Sequence, residues 1–267
     1  MKKAIVIHSD ILGFKKIIED AENDKNEETL NKLKITLSES VGILKMFSEI
    51  EKTTTMKLNY KLFSDNLYAS FSYEEDNLQS FSDAFIVAII FARGYFSNML
   101  DNKIPVRGGI SFGNDYYDDT MIFSMALVKA YTLESEKAIF PRIIIDNELI
   151  DLVKQDIELP SKMFLTVLNN SILKDQNGIY FINPNGLASD FKSELNGLHD
   201  TELDKMLMRQ NIEFVNEEVK KIDRNTPEGD KIAKKYDWLM DLLLWNFTDR
   251  QKKPFLNTFT PLQFTKK

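Results

Sequence analysis

The stretch Ile5-Val6-Ile7-His8-Ser9-Asp10-Ile11-Leu12-Gly13-Phe14, IVIHSDILGF in one-letter form, decides how the chain is read. Three β-branched residues in a row, Ile5, Val6 and Ile7, open it as a buried strand opens. Asp10 then breaks into an apolar sequence, between His8-Ser9 and Ile11-Leu12. Burying an unpaired carboxylate costs several kcal/mol, so a residue in such a place is normally paired, hydrogen-bonded or metal-bound. Gly13 and Phe14 lead into a helical pattern, so the segment reads as strand, turn and helix N-terminus.

Working outward, Lys3 to Ser9 forms the first strand. Asn23 to Glu28 is polar and reads as a loop or helix–helix bend. Leu30, Leu33, Leu37, Val41, Leu44 and Phe47 step by three or four, the period of an amphipathic helix. Met56 to Leu62 and Leu67 to Phe71 read as strands joined by Phe63-Ser64-Asp65-Asn66, a hairpin with Asp65 near its tip. Leu78 to Leu100 is a helix apolar on most sides, hence central. Pro105 to Phe112 is a strand carrying Gly108-Gly109, and Asp115 to Asp119 an acidic, Tyr-containing loop. Ser124 to Ala138 is helical, and Arg142 to Ile145 an apolar strand. Ser171 to Asn183 forms a second hairpin, turning at Gln176-Asn177-Gly178. Strands interleaved with helices and a hairpin in the middle imply an α+β fold of the ferredoxin-like, split βαβ kind, with helices on one face of a mixed sheet.

The pattern changes near Gly186. Glu202 to Ile222 and Asp230 to Asp249 are helical, the second with Ile232, Tyr236, Leu239, Leu243 and Phe247 on one stripe. We therefore divide the chain into a main domain, residues 1–185, and a C-terminal helical extension, residues 186–267, packed on it. The extension caps the sheet or joins a dimer contact. No 20–50-residue repeat and no low-complexity tract is present.

Composition narrows the chemistry. The chain has 267 residues, 43% hydrophobic and 28% charged, as in an ordinary globular protein. A net charge of −7 lacks the diffuse basic surface that favours nonspecific nucleic-acid binding, so no nucleic-acid partner is expected. Without cysteine there are no disulfides and no thiolate metal sites. His8 is the one histidine in the first half, so a metal there takes oxygen ligands, which suits Mg²⁺ or Mn²⁺. The apolar run in MKKAIVIHSD is too short for a signal peptide, and no apolar stretch is expected to span a bilayer. We expect a cytoplasmic protein without a membrane partner.

In a split βαβ arrangement the first strand sits beside the central hairpin, which brings Asp10 to Asp65. Two carboxylates brought together repel, and one pKa rises. A divalent cation between them removes the conflict. Two oxygen-ligated metals about 3.5–4 Å apart are a common device for phosphoryl and nucleotidyl transfer. Ile11, Leu12, Gly13 and Phe14 follow Asp10 into a helix, and backbone N–H groups at a helix N-terminus make a phosphate site. Taken singly, Asp10 also reads as the N-cap of that helix and Asp65 as a turn residue.

Three segments together resemble the class III nucleotidyl cyclase catalytic domain. IHSDILGF is similar to that family's first metal motif, and KLFSDNLYASF to its second, with Lys61 four residues before Asp65. VRGGISFG, then IFSMALVKAYTLESEKA and RIIID, resembles the strand, helix and strand that complete the site. The resemblance covers roughly Lys3 to Asn183. Within the family the chain looks most like the compact bacterial pyrimidine cyclases of Pycsar antiphage defence. Ser64, the RGGISFG strand, the LKDQNGIYFINP hairpin and a helical tail with KYDWL point there.

The resemblance implies that Asp10, Asp65 and the Ile11 carbonyl hold two Mg²⁺ or Mn²⁺ ions. It implies attack of the ribose 3′-oxygen on the α-phosphorus of UTP or CTP, giving cyclic UMP or cyclic CMP and pyrophosphate. It further implies a homodimer, and a separate effector that reads the product. Lys61 falls where purine cyclases keep a base-selecting residue, and reads equally as an exposed strand lysine. The chain departs from the family at Val128 and Thr132, where many members carry an Asn and an Arg that steady the transition state. Arg107 and Lys129 are the candidate replacements; they also read as a structural ion pair and as part of a solvated helix face. Tyr131 and Glu134 read as packing and surface residues. Three alternatives stand beside a pyrimidine cyclase: an adenylate or guanylate cyclase, a catalytically inactive nucleotide-binding protein, and a palm-type polymerase, against which the absence of a basic template groove argues.

Overall fold

The computed structural model describes residues 1–24, 27–48, 56–155, 162–185, 201–247 and 257–264. The run Ile5-Val6-Ile7 lies in β1 (Lys2–Ile11), in the middle of the sheet. β1 pairs antiparallel with β3 (Asn66–Tyr73) on one side and with β4 (Val106–Tyr117) on the other. β2 (Lys57–Phe63) forms the hairpin with β3. The remaining strands are β5 (Ile122–Ser124), β6 (Ile143–Ile145), β7 (Ile172–Asp175), β8 (Tyr180–Ile182) and β9 (Phe259–Pro261). Their order is β2-β3-β1-β4-β6-β8-β7-β9, with β5 paired to the end of β4. β4 and β6 run parallel and the other pairs antiparallel, so the sheet is mixed.

Strand alternation sorts β1 between two faces. Ile5, Ile7 and Ile11 enter the main core, under α1 (Phe14–Asp24), α2 (Glu27–Ser48) and α3 (Leu78–Asp101). α3 is buried along most of its length, as its all-round apolar sequence requires. By length and composition it is also apolar enough to cross a bilayer, which corrects the expectation that no such stretch exists; it lies against the sheet. Ala4 and Val6 point to the other face, where Ala126 of α4 (Met125–Thr132) meets them. Gly109 lets α4 approach. A Cβ there would stand 2.1 Å from the Ala130 carbonyl oxygen.

Several local features differ from the sequence expectation, each for a tertiary reason. Asp115–Tyr117 is strand rather than loop, because β4 continues against Lys2 and Lys3 of β1 and against β5. Asp115 is buried there, accepting hydrogen bonds from Tyr68 Oη at 2.8 Å and Ser70 Oγ at 2.7 Å. Ser124 caps α4 by accepting from Leu127 N, and α4 widens into a π-helical turn over Leu133–Lys137. α1 runs to Asp24 and α2 starts at Glu27, so Asn23, Asp24, Glu27 and Glu28 of the expected loop are helical; residues 25 and 26 lie outside the described residues. On α2, Leu33 and Leu44 are buried while Leu30 is exposed; the Phe47 side chain lies outside the description. Two amphipathic helices that the periodicity reading passed over, α5 (Asn147–Gln155) and α6 (Lys162–Ser171), precede the second hairpin.

Beyond residue 185, α7 (Thr201–Lys220) and α8 (Pro227–Phe247) pack together through Met208, Val215, Leu239 and Leu243, and onto Leu100 of α3. Trp238, Leu242 and Trp245 of α8 pack on Leu173, Phe181 and Phe259. The tail also returns β9 to the sheet beside β7, a strand where only helices are expected.

Candidate active site

The sheet register sets the site. Asp10 stands opposite Asn66 on β3 and opposite Arg107 on β4. Asp65 precedes Asn66 in the two-residue turn of the β2–β3 hairpin, where Phe63 pairs with Asn66. Ser64 takes the left-handed conformation there, with φ 56°. The turn thus places the Asp65 carboxyl within hydrogen-bonding reach of Asp10. Asn66 Nδ2 donates to Asp65 Oδ1 at 3.0 Å, holding it at the tip.

Arg107 answers the charge of Asp10. Its Nη2 and Nε donate to Asp10 Oδ2 at 3.1 and 3.2 Å. Its Nε also lies 2.6 Å from Glu134 Oε1. Glu134 is buried, in the π turn that follows α4, which corrects its reading as a surface residue. Glu134 follows Ala126 and Ala130 at i+8 and i+4, so the helical stripe that faces the sheet carries it. His8, two residues before Asp10 and on the same face of β1, completes the cluster, with Nδ1 4.0 Å from Glu134 Oε2. The Tyr131 ring meets His8 edge-on at 5.4 Å.

The electrostatics follow from burial. Desolvation holds the Asp10 carboxyl above its ordinary pKa, and contact with Asp65 adds to the rise while Arg107 opposes it. Burial raises Glu134 too, again against Arg107, with Asp10 and Asp65 adding repulsion. His8 is pushed down, first by burial and then by Arg107, although Asn66 and Asp65 favour its charged form.

The remaining sequence candidates separate. Asp10 is not an N-cap, since α1 starts at Phe14 and Gly13 occupies the capping position, its carbonyl accepting from Ile17 N at 3.1 Å. Gly13 takes a φ of 78°, which favours glycine, and no protein atom lies within 4 Å of where a Cβ would stand. Ile11 and Leu12 continue from β1 beside it, Leu12 N donating to Pro105 O at 2.9 Å, and Phe14 packs on the core. Lys61 lies on the Asp10 face of the sheet, in line with Tyr68 and His8, and donates to the Asp119 carbonyl at 3.2 Å. Lys129 is not brought to the carboxylate pair. It pairs with Glu148 at 3.2 Å and lies over Phe112, whose partner on β1 is Ile5, roughly 17 Å from Asp10 at the rise of a strand. Val128 is exposed, and Thr132 Oγ1 donates to the Val128 carbonyl, so neither meets the cluster.

Sequence reasoning passed over His8, Asn66 and Glu134. A period-of-two reading of β1 finds His8, and Asn66 adjoins Asp65 in sequence. Glu134 follows Ala130 at i+4 and Ala126 at i+8, so the helical period over Ser124–Ala138 is the signal that finds it on the buried face. Asp10 and Asp65 are carboxylates that could hold a cation, and the Ile11 carbonyl follows Asp10 in sequence. Among the described residues no group of three or more His, Cys, Asp or Glu forms a closed metal cage. Two carboxylates leaving room for water and phosphate suit Mg²⁺, which is usually bound in that open manner.

No family model matches the chain, and no curated protein is similar to it in sequence. Among solved structures it is similar to the crystal structure of the guanylyl cyclase Cya2, with a TM-score of 0.41 and 11% identity, over 68% of this chain and 92% of that one. It is also similar to two structures of a bacterial light-regulated adenylyl cyclase, with TM-scores of 0.37 and 0.36 and identities of 13% and 15%. It spans about half the length of those two chains, 52% in each case.

Proposed function

We propose that this chain is a metal-dependent nucleotidyl cyclase. The observation that carries the reading is the meeting of Asp10 and Asp65 at the end of a central strand, beside a helix N-terminus. Two carboxyls in contact favour a cation between them, and the open donor set leaves room for a substrate's phosphates. Divalent Mg²⁺ or Mn²⁺, two ions by the sequence resemblance, would neutralise the triphosphate and lower the pKa of the attacking hydroxyl.

The protein's own residues do the rest. Asp10, Asp65 and the Ile11 carbonyl hold the cations. The backbone N–H groups of Gly13 and Phe14 face the phosphates at the start of α1, the Leu12 N–H being held by the Pro105 carbonyl. Arg107, fixed by Asp10 and Glu134, offers a guanidinium to the charge that develops on phosphate oxygens. In the reaction the ribose 3′-oxygen bonds to the α-phosphorus, and the bond from that phosphorus to the bridging oxygen breaks, releasing pyrophosphate.

The finer reading is a pyrimidine substrate, UTP or CTP, with the cyclic product read by a separate effector in antiphage defence. Its support is the sequence resemblance around Ser64, Gly108-Gly109 and the second hairpin, with Lys61 on the Asp10 face of the sheet as a candidate reader of a base carbonyl. A homodimer is supported by Phe63, Phe123, Met125 and Val128, large apolar side chains left exposed on β2, β5 and α4.

The test is turnover with Mn²⁺ and each of ATP, GTP, CTP and UTP, products identified by mass spectrometry, with Asp65→Ala alongside. A cyclic pyrimidine monophosphate that disappears in Asp65→Ala supports the full reading. A cyclic purine product keeps the cyclase and removes the pyrimidine assignment. Nucleotide binding without turnover supports the second reading, an inactive cyclase-fold binding protein, which the placement of Val128 and Thr132 favours.

A further inference from the structure

Lys235 lies on α8 in register with Trp238, Leu239 and Leu242, at i+3, i+4 and i+7, on the stripe a helix turns toward its core. Those three residues are buried. Trp238 covers the Arg142 guanidinium at 5.3 Å, and the Arg142 carbonyl accepts a hydrogen bond from Gly108 N at 3.0 Å. Leu239 packs with Leu100, near the end of α3. The stripe therefore lies against Arg142, at the residue that hydrogen-bonds Gly108 on β4, and Arg107 stands next to Gly108. Lys235 continues it by one turn toward the N-terminus of α8 and is half-buried.

A lysine on a buried stripe normally finds an acid. Lys234, the exposed neighbour of Lys235, pairs with Asp230 at 2.6 Å. Among the described residues none forms a hydrogen bond or ion pair with Lys235. Its ammonium lies close enough to feel both Arg107 and Asp10, while burial holds its pKa below the ordinary lysine range. An unpaired, partly desolvated cation beside a guanidinium is costly unless an anion joins them. An oligophosphate is such an anion, and a lysine binds phosphate as a compact point charge.

We propose that Lys235, brought to the site by the C-terminal helix α8, binds the phosphate chain of the nucleotide together with Arg107. The assignment of that anion as a nucleoside triphosphate rests on the cyclase reading above. On this proposal the C-terminal extension is part of the site, and supplies a cation from a place where Val128 and Thr132 supply none.

The experiment measures binding of inorganic tripolyphosphate to the full chain with Mn²⁺ by calorimetry, for the wild type, Lys235→Met and Lys235→Arg, with cyclic-nucleotide formation assayed in parallel. Methionine extends the apolar stripe, so α8 stays docked. Loss of one charge-assisted hydrogen bond should weaken binding roughly ten- to a hundredfold in Lys235→Met, and arginine should restore it to within a few-fold. Equal affinity of the wild type and Lys235→Met, an equal loss in Lys235→Arg, or no binding by the wild type overturns the proposal. A charge-dependent loss of binding in a protein that forms no cyclic nucleotide keeps Lys235 as a phosphate ligand and removes the cyclase reading. Cyclic product formed by Lys235→Met with unchanged KM keeps the cyclase and removes Lys235.

Discussion

Arg107→Met would remove the cation that Asp10 holds at 3.1 Å and Glu134 at 2.6 Å. The side chains are 28% exposed for Arg107, 18% for Asp10 and 3% for Glu134, so solvent screens the cluster little. Breaking a buried pair by removing one partner costs about 3–5 kcal/mol. The partial exposure of Arg107 and Asp10 puts the expected loss at the lower end, about 3 kcal/mol near neutral pH. For a chain of this size that lowers the melting temperature by roughly 6–12 °C. The loss must depend on pH. Burial raises Asp10 and Glu134, and Arg107 opposes the rise in both. An acid with a raised pKa in the folded state binds more protons there than when unfolded. Its stability contribution is therefore greatest below the unfolded pKa and is lost as pH climbs through the folded value. Without Arg107 both folded values move up further. The deficit of the variant should thus be small near pH 4 and grow toward neutrality. Thermal denaturation from about pH 4 to pH 8, in chelator, measures it. A deficit equal at both ends of the range, or absent at neutral pH, would refute the electrostatic account of the cluster.

Three further outcomes follow from the same geometry. Gly109→Ala should cost about 1–3 kcal/mol as α4 is pushed off the sheet, since its Cβ would meet the Ala130 carbonyl oxygen at 2.1 Å; an unchanged melting curve would count against that close packing. Asp175→Asn leaves the buried Arg142 guanidinium without its 2.8 Å carboxylate partner, and should cost about 3–5 kcal/mol while Mn²⁺ affinity, read by isothermal titration, stays unchanged. Lys61→Ala should leave the melting temperature unaltered, because the side chain makes one exposed bond to the Asp119 carbonyl, but should change the relative turnover of the four nucleotides; identical nucleotide preference would remove Lys61 as a base reader.

The division between sequence and structure shows in particular residues. The β1–turn–α1 unit was legible because β-branched runs, a φ-permissive glycine and helical periodicity are local signals. The β2–β3 hairpin was legible for the same reason, and with it the approach of Asp65 to Asp10, since a strand beside its hairpin allows few registers. The end of β4 was not, because Asp115 looks like a loop residue until the hydroxyls of Tyr68 and Ser70 come to it from another strand. β9 was hidden because three residues carry little pattern and its pairing with β7 spans the tail.

By itself the sequence determined the type of fold and singled out the two carboxylates. Each rests on residue identity or on spacing within one element. Only the tertiary structure decided which charges answer one another. Arg107 joins Asp10 and Glu134, Lys129 goes to Glu148, and Lys235 stands near Asp10 from a helix more than two hundred residues away. The physical reason is that Coulomb and desolvation energies depend on distance and burial in space. Sequence separation sets neither once the sheet has closed.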